Sequence, residues 1–169
     1  IMEDKTGNIW FASAKNGVFS YDPSASSEKK KKNITEKEGL GDNYAGGMAQ
    51  DRAGNIWFTM KNGICKYDGK TLTEYFPKDG LGGTEFWGIY TEQSGIIWVT
   101  ARGSTTRFDP SVPLPNPKAF TVFTVQDGIN CCVQSMYQDR SGNMWWGAGA
   151  GLYRFDGKRF YQVKQNGPW

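Results

Sequence analysis

Three observations predict an all-β fold: a β-propeller built of four-stranded antiparallel blades, with four blades in this chain. A short phrase returns four times: Asp4…Gly7-Asn8-Ile9-Trp10…Tyr21-Asp22, then Asp51…Gly54-Asn55-Ile56-Trp57…Tyr67-Asp68, then Glu92…Gly95-Ile96-Ile97-Trp98…Phe108-Asp109, then Asp139…Gly142-Asn143-Met144-Trp145…Phe155-Asp156. The Trp residues of these phrases stand 47, 41 and 47 positions apart, the length of one propeller blade rather than of a helical pair. Aromatic residues make up 15% of the sequence and fall in short segments punctuated by 22 Gly, a composition suited to pleated strands and tight turns. No stretch carries a 3.6-residue apolar period, which disfavours helical repeats.

The second copy shows the expected layout of a blade. Residues 44–50 read as a strand of small residues, and the turn Asp51-Arg52-Ala53-Gly54-Asn55 leads into a second strand over 56–60. Lys61-Asn62-Gly63 is expected to turn with positive φ at Asn-Gly, giving a third strand over 64–67. Asp68-Gly69 closes a further hairpin before an outer strand over 71–76. Three Gly-bearing turns at hairpin spacing make four antiparallel strands. Blade boundaries are expected near 1–40, 41–81, 82–129 and 130–169. Copies one and three carry longer loops between strands three and four (23–33 and 110–117), whereas copies two and four close with Asp-Gly-Lys. The alternation points to duplication of a two-blade unit.

The strand Ile56-Trp57-Phe58 is apolar on both faces, as expected for an inner strand covered by a blade on each side. Trp10, Trp57, Trp98 and Trp145 are therefore expected to be the main packing units between blades. The acidic residue three before each Gly is expected to accept hydrogen bonds from its own turn. A ring of these carboxylates around a cation is the alternative, but no copy has the ligand spacing of a calcium loop. No metal site and no cofactor is expected.

The net charge of +3 is too small for a nucleic-acid footprint, and most of the excess is the run Lys29 to Lys32, expected to be a solvated loop. No apolar segment approaches the ~20 residues of a membrane helix. The chain opens inside a repeat without a signal peptide, so it is expected to be a processed form or part of a longer protein. Three cysteines give no metal-ligand spacing and no disulfide framework, and adjacent Cys131 and Cys132 are expected to be reduced strand residues rather than a vicinal disulfide. The sequence contains no histidine, which removes the commonest general base and transition-metal ligand.

The pattern Asp-x-x-Gly-Asn-Ile-Trp-Phe…Asn-Gly-Ile-x-x-Tyr-Asp…Asp-Gly-Leu resembles the two-component regulator propeller repeat, and the resemblance covers essentially the whole chain. It implies the periplasmic or extracellular sensor propeller of bacterial hybrid histidine kinases, or a stand-alone relative. Related repeats occur in streptogramin lyases, where a histidine takes part in catalysis; its absence here counts against that chemistry. Propellers of the sensor kinases are larger than four blades, so the four copies imply a fragment, a self-associating half-propeller or a small closed ring.

Ligands of propellers usually bind at the axial end, among the inter-blade segments and the turns between strands two and three. Those positions differ from copy to copy, and what folding does not require to repeat can carry specificity. The candidate ligand-binding residues are Asp42, Asn43, Tyr44, Lys61, Glu85, Trp87, Arg102 and Gln134. Tyr44 and Trp87 with surrounding acids, amide and base suit the stacking face and hydroxyls of a sugar, and the other reading of both rings is that they plug the channel. The expected function is non-catalytic binding or sensing of an oligosaccharide or other small polar ligand. The alternatives are a protein-interaction or structural propeller, and an enzyme using carboxylates such as Asp42 and Glu85. Open blade faces would expose more apolar surface than a monomer tolerates. Either a closed four-blade ring or a homodimer of eight blades is therefore expected.

Overall fold

The computed structural model describes residues 1–28, 30–130, 133–164 and 166. Its strands form four separate antiparallel sheets, each in up-and-down order. Blade one holds β1 (Met2–Glu3), β2 (Ile9–Ser13), β3 (Gly17–Tyr21) and β4 (Lys31–Ile34). Blade two holds β5 (Met48–Gln50), β6 (Ile56–Met60), β7 (Gly63–Tyr67) and β8 (Leu72–Tyr75). Blade three holds β9 (Thr84–Thr91), β10 (Ile97–Arg102), β11 (Ser104–Phe108) and β12 (Phe120–Phe123). Blade four holds β13 (Val133–Gln138), β14 (Met144–Ala148), β15 (Gly151–Phe155) and β16 (Phe160–Gln162). This is an all-β, four-blade propeller architecture. The expectation placed on Cys131 and Cys132, like that on Lys29, lies outside the described residues.

Period-two alternation decides what each inner strand shows to each side. In every copy the phrase's Trp points forward, toward the following blade, and its two neighbours point back. Trp10 packs with Ile56 and Phe58 of blade two, Trp57 with Ile97 and Val99 of blade three, and Trp98 with Met144 and Trp146 of blade four. Each forward Trp also meets an aromatic ring of the next blade's third strand: Tyr67 at 6.0 Å, Phe108 at 5.9 Å and Phe155 at 5.2 Å between centroids. Three core clusters thus join four blades in series. Among the described residues, no core cluster joins blade four to blade one.

The acidic residue of the phrase does more than close its turn. Asp51 Oδ1 accepts from Asn55 N, and its other oxygen accepts from Trp57 Nε1 at 2.8 Å. Asp4 takes Trp10 Nε1 at 2.7 Å and Asp139 takes Trp145 Nε1 at 2.9 Å, while Glu92 accepts from Trp98 Nε1. One carboxylate therefore fixes the turn and satisfies an indole N–H that packing would otherwise strand. Burial alone would raise the Asp4 carboxyl, but donors on Thr6, Trp10 and Asn8 outweigh it and hold it well below the carboxylate range. Trp145 Nε1 and Asn143 bring Asp139 down to about 2.

Four expectations need correction. Trp145 is not a buried packing unit: it is half-buried, while its neighbour Trp146 is fully buried against Trp98. Among the described residues no blade stands in front of Trp145, whereas Trp146 points back into the third junction. The first strand of blade two begins at Met48 rather than 44, because residues 44–47 cross toward blade three. There Gly47 N–H donates to Thr59 Oγ1 and to the Trp87 carbonyl, and a Cβ on Gly47 would lie 2.6 Å from that carbonyl oxygen. Lys61-Asn62 spans the paired Met60 and Gly63 without a positive φ at either residue or at Gly63. Finally, the basic run is not all loop: Lys31 and Lys32 belong to β4, and Lys32 Nζ bonds Tyr67 OH of blade two while lying 4.5 Å from its ring centroid.

Candidate functional site

The candidate site grows from an irregularity in β9. This strand pairs with β10 through Thr100↔Gly88, Ala101↔Phe86 and Arg102↔Thr84, with register shifts on both sides of Ala101. Two residues of β9, Trp87 and Glu85, are left without a partner. A bulge bends its strand and re-aims the unpaired side chain, and here two in succession turn Trp87 and Glu85 toward the axial end. Glu85 sits at φ 53, the one non-Gly residue with positive φ among the described residues. That conformation costs free energy and persists only where surrounding contacts enforce it. Arg102 supplies one, with Nη2 2.6 Å from Glu85 Oε2, and the same guanidinium lies 5.9 Å from the Trp87 ring centroid. Both partners of this ion pair are more than half exposed, so the pair orients the carboxylate more than it stabilises the fold.

Around these residues lies a cavity of about 350 Å³ lined by Ala14, Asp42, Tyr44, Lys61, Glu85, Phe86 and Trp87. It is assembled from three blades. Ala14 comes from the β2–β3 turn, Asp42 and Tyr44 from the segment leading into β5, Lys61 from the β6–β7 turn, and the rest from β9. Asp42 is held locally, since its Oδ1 accepts from Tyr44 N at 2.8 Å. The arrangement offers three aromatic rings, two carboxylates and one ammonium group to a single occupant. A slightly larger hollow of about 410 Å³ lies at the periphery between 77–80 and 114–120. It is walled by prolines and the loop of blade three, away from the propeller axis.

Five of the eight sequence candidates, Asp42, Tyr44, Lys61, Glu85 and Trp87, line the axial cavity. Arg102 stands beside it as the partner of Glu85. Asn43 is turned elsewhere, its Oδ1 accepting from Glu36 N at 3.0 Å and its carbonyl from Gly17 N, which ties the lead-in segment to blade one. Gln134 is exposed on blade four, at the register shift between Val133 and Ser135 that corresponds to the Trp87 bulge, and is not part of the cavity. Ala14 and Phe86 also line the cavity and are not among the eight candidates. Phe86 is 1% exposed and belongs to the core between blades two and three, so it forms the cavity floor. Its neighbours in sequence were the legible signal. Among the described residues, no three His, Cys, Asp or Glu side chains converge as a metal site, and no helix is long and apolar enough to cross a membrane.

No family model matches the chain, and no curated protein matches it in sequence. Solved structures do match, and they define the class first: propeller domains. One is described as the extracellular domain of a hybrid two component system, BT3049 of B. thetaiotaomicron, with a TM-score of 0.79 at 24% identity over 99% of this chain and 23% of that one. Another is the extracellular domain described as that of a one component system, BT4673 of the same organism, with a TM-score of 0.73 at 19% identity over 97% of this chain and 23% of that one. A catalytically inactive virginiamycin B lyase from Staphylococcus aureus, solved with quinupristin, has a TM-score of 0.73 at 17% identity over 99% of this chain and 55% of that one. The chain thus spans about a quarter of the length of the extracellular domains it matches and about half of the lyase. These extracellular domains agree with the resemblance carried by the repeated phrase, and at these identities the likeness is one of fold.

Proposed function

We propose that this chain is a non-catalytic ligand-recognition propeller working outside the cytoplasm, in the manner of the sensor part of a two-component system. The cavity takes a small polar ligand with an apolar face, of which an oligosaccharide is the best chemical match. The observation that carries this reading is the pair of bulges presenting Trp87 and Glu85, with Tyr44, Asp42 and Lys61 around them. Aromatic rings stack on the C–H face of a sugar, and carboxylates and an ammonium group meet its hydroxyls. The match to extracellular domains supports the location.

One observation favours an enzyme, namely that Asp42 and Glu85 share the cavity. The engagement of Glu85 by Arg102 and of Asp42 by the Tyr44 backbone favours binding instead, because an acid–base pair needs its protons free to move. Calorimetric titration across a broad oligosaccharide panel tests the proposal. At least one member should bind, Trp87→Ala should weaken that binding by about tenfold or more, and the bound sugar should be recovered unchanged. Silence across the panel, or affinity indifferent to Trp87→Ala, would reject it. Recovery of a cleaved or eliminated product would favour the enzyme.

A further inference from the structure

The junction between blades three and four buries a polar group where the other blades carry an apolar one. Thr105 of β11 pairs with Thr100 on one side and Phe123 on the other, so it stands on the forward face of blade three with Trp98. In every blade this position pairs with the residue two past the phrase's Trp, and elsewhere it is Val18, Ile64 or Leu152. Val18 and Ile64 are fully buried, and Thr105 is 1% exposed. Its hydroxyl oxygen is buried without a hydrogen-bond partner. Such a group costs free energy that an apolar residue of the same shape avoids.

Thr105 lines a cavity. About 300 Å³ lies between the β10–β11 turn, Thr105 and the segment leading into β13, with Ile129 and Val133 as apolar walls. Both walls are 4% exposed and belong to the core of the third junction. Val125 and Asn130 stand at the rim, exposed. Val125 follows Thr124, the N-cap of a single helical turn, and Glu36 holds that place after Thr35 in blade one. Blade three therefore inverts the repeat here, with a hydroxyl inside where the others are apolar and a valine outside where blade one is charged. Packing requires neither change. Together they place one hydrogen-bonding group in an apolar cavity with an apolar lip.

We propose that this cavity is a second binding site, for a small uncharged molecule with an apolar body and one hydroxyl or carbonyl oxygen. It shares no lining residue with the axial cavity, so it does not depend on the ligand assigned there. The Thr105 hydroxyl both donates and accepts and can pair with either group, while Ile129 and Val133 cover the rest of the molecule. None of the described lining residues is ionisable, so a charged ligand would give up its hydration without a partner. The volume lies at the small end of ligand pockets, which limits the occupant to a single ring or a short branched chain.

Cyclohexanol serves as the probe, titrated into the full chain up to about 10 mM and followed by NMR. It should bind saturably, and cyclohexylammonium, of the same shape but charged, should not. Thr105→Val should weaken cyclohexanol binding about tenfold through loss of one buried hydrogen bond. The same change should raise the thermal midpoint of the empty chain by about 2–4 °C, because the unpaired hydroxyl is gone. Val133→Phe should abolish binding by filling the space with the residue that blade two carries there, Phe86, which pairs with Ala101 as Val133 does with Ala148. Should Val133→Phe fail to fold, the two readings on Thr105→Val decide alone. Absence of saturable binding overturns the proposal, as does equal affinity for cyclohexylammonium. So does a Thr105→Val variant that gains stability but binds cyclohexanol unchanged, the outcome expected if the hydroxyl meets water only.

Discussion

Trp98 and Trp145 hold the same place in the repeated phrase, point the same way from their strands and give their indole N–H to the same kind of acid. Trp98 is wholly buried, with Trp146 at 4.8 Å and Phe155 at 5.2 Å, whereas Trp145 is half-buried, with Arg154 beside its ring. The difference lies in what stands in front of each, not in the residue or its local geometry. A repeat sequence specifies the half of a junction that it carries, and the environment of a residue is completed by its neighbour.

The largest effect that would break this comparison is on stability. Trp98→Ala should cost on the order of 3–5 kcal/mol in denaturant unfolding, as expected for a large core truncation, while Trp145→Ala should cost about 1 kcal/mol or less. Equal losses would show that the two indoles are equally covered. Acid unfolding separates the carboxylates next. Asp4 and Asp139 are depressed in the folded chain from an ordinary value of 3.8, so the stability they contribute is complete above about pH 4 and is lost as the pH falls toward 2. The thermal midpoint should therefore drop steeply over that window, and Asp139→Asn should flatten part of the drop; an unchanged slope would count against the Trp145–Asp139 bond. The smallest effect concerns the rim of the first junction. Lys32→Ala should destabilise by about 0.5–1 kcal/mol through loss of its contact with Tyr67, and Lys31→Ala, one residue earlier on the strand's other face, by almost nothing. Equal costs would mean that Lys32 does not tie blade one to blade two.

The fold was legible because its signals are local and repeated. Gly-bearing turns, hairpin spacing and the Trp period each follow from a few adjacent residues. The carboxylate–indole bond was not legible, although Asp51 and Trp57 stand only six positions apart, because the direction of the indole depends on strand twist and packing. Trp145 misled for the opposite reason: its phrase is intact, and what distinguishes it is that among the described residues no blade packs on its forward side. At the candidate site, variation between copies pointed to Asp42, Tyr44, Lys61, Glu85 and Trp87. It could not separate them from Asn43, whose side chain and carbonyl are consumed by backbone partners. The bulges that expose Glu85 and Trp87 are invisible in sequence because they arise from pairing with β10. Gly46 and Gly47 read as ordinary strand residues, yet Thr59 and the Trp87 carbonyl crowd them so closely that no side chain fits.

The half-covered indole of blade four is also an optical probe supplied by the fold. Trp98 is sealed from water, and Trp57 and Trp10 are 1% and 6% exposed, so they should emit at short wavelength and resist collisional quenchers. Trp145 and the cavity's Trp87, both half-buried, should contribute to the red-shifted, acrylamide-sensitive share of the emission. In a Trp87→Phe background, anything that seats on blade four would shift Trp145's share to the blue and shield it, whereas a cavity ligand would act on the share that Trp87 contributes to the unmodified chain.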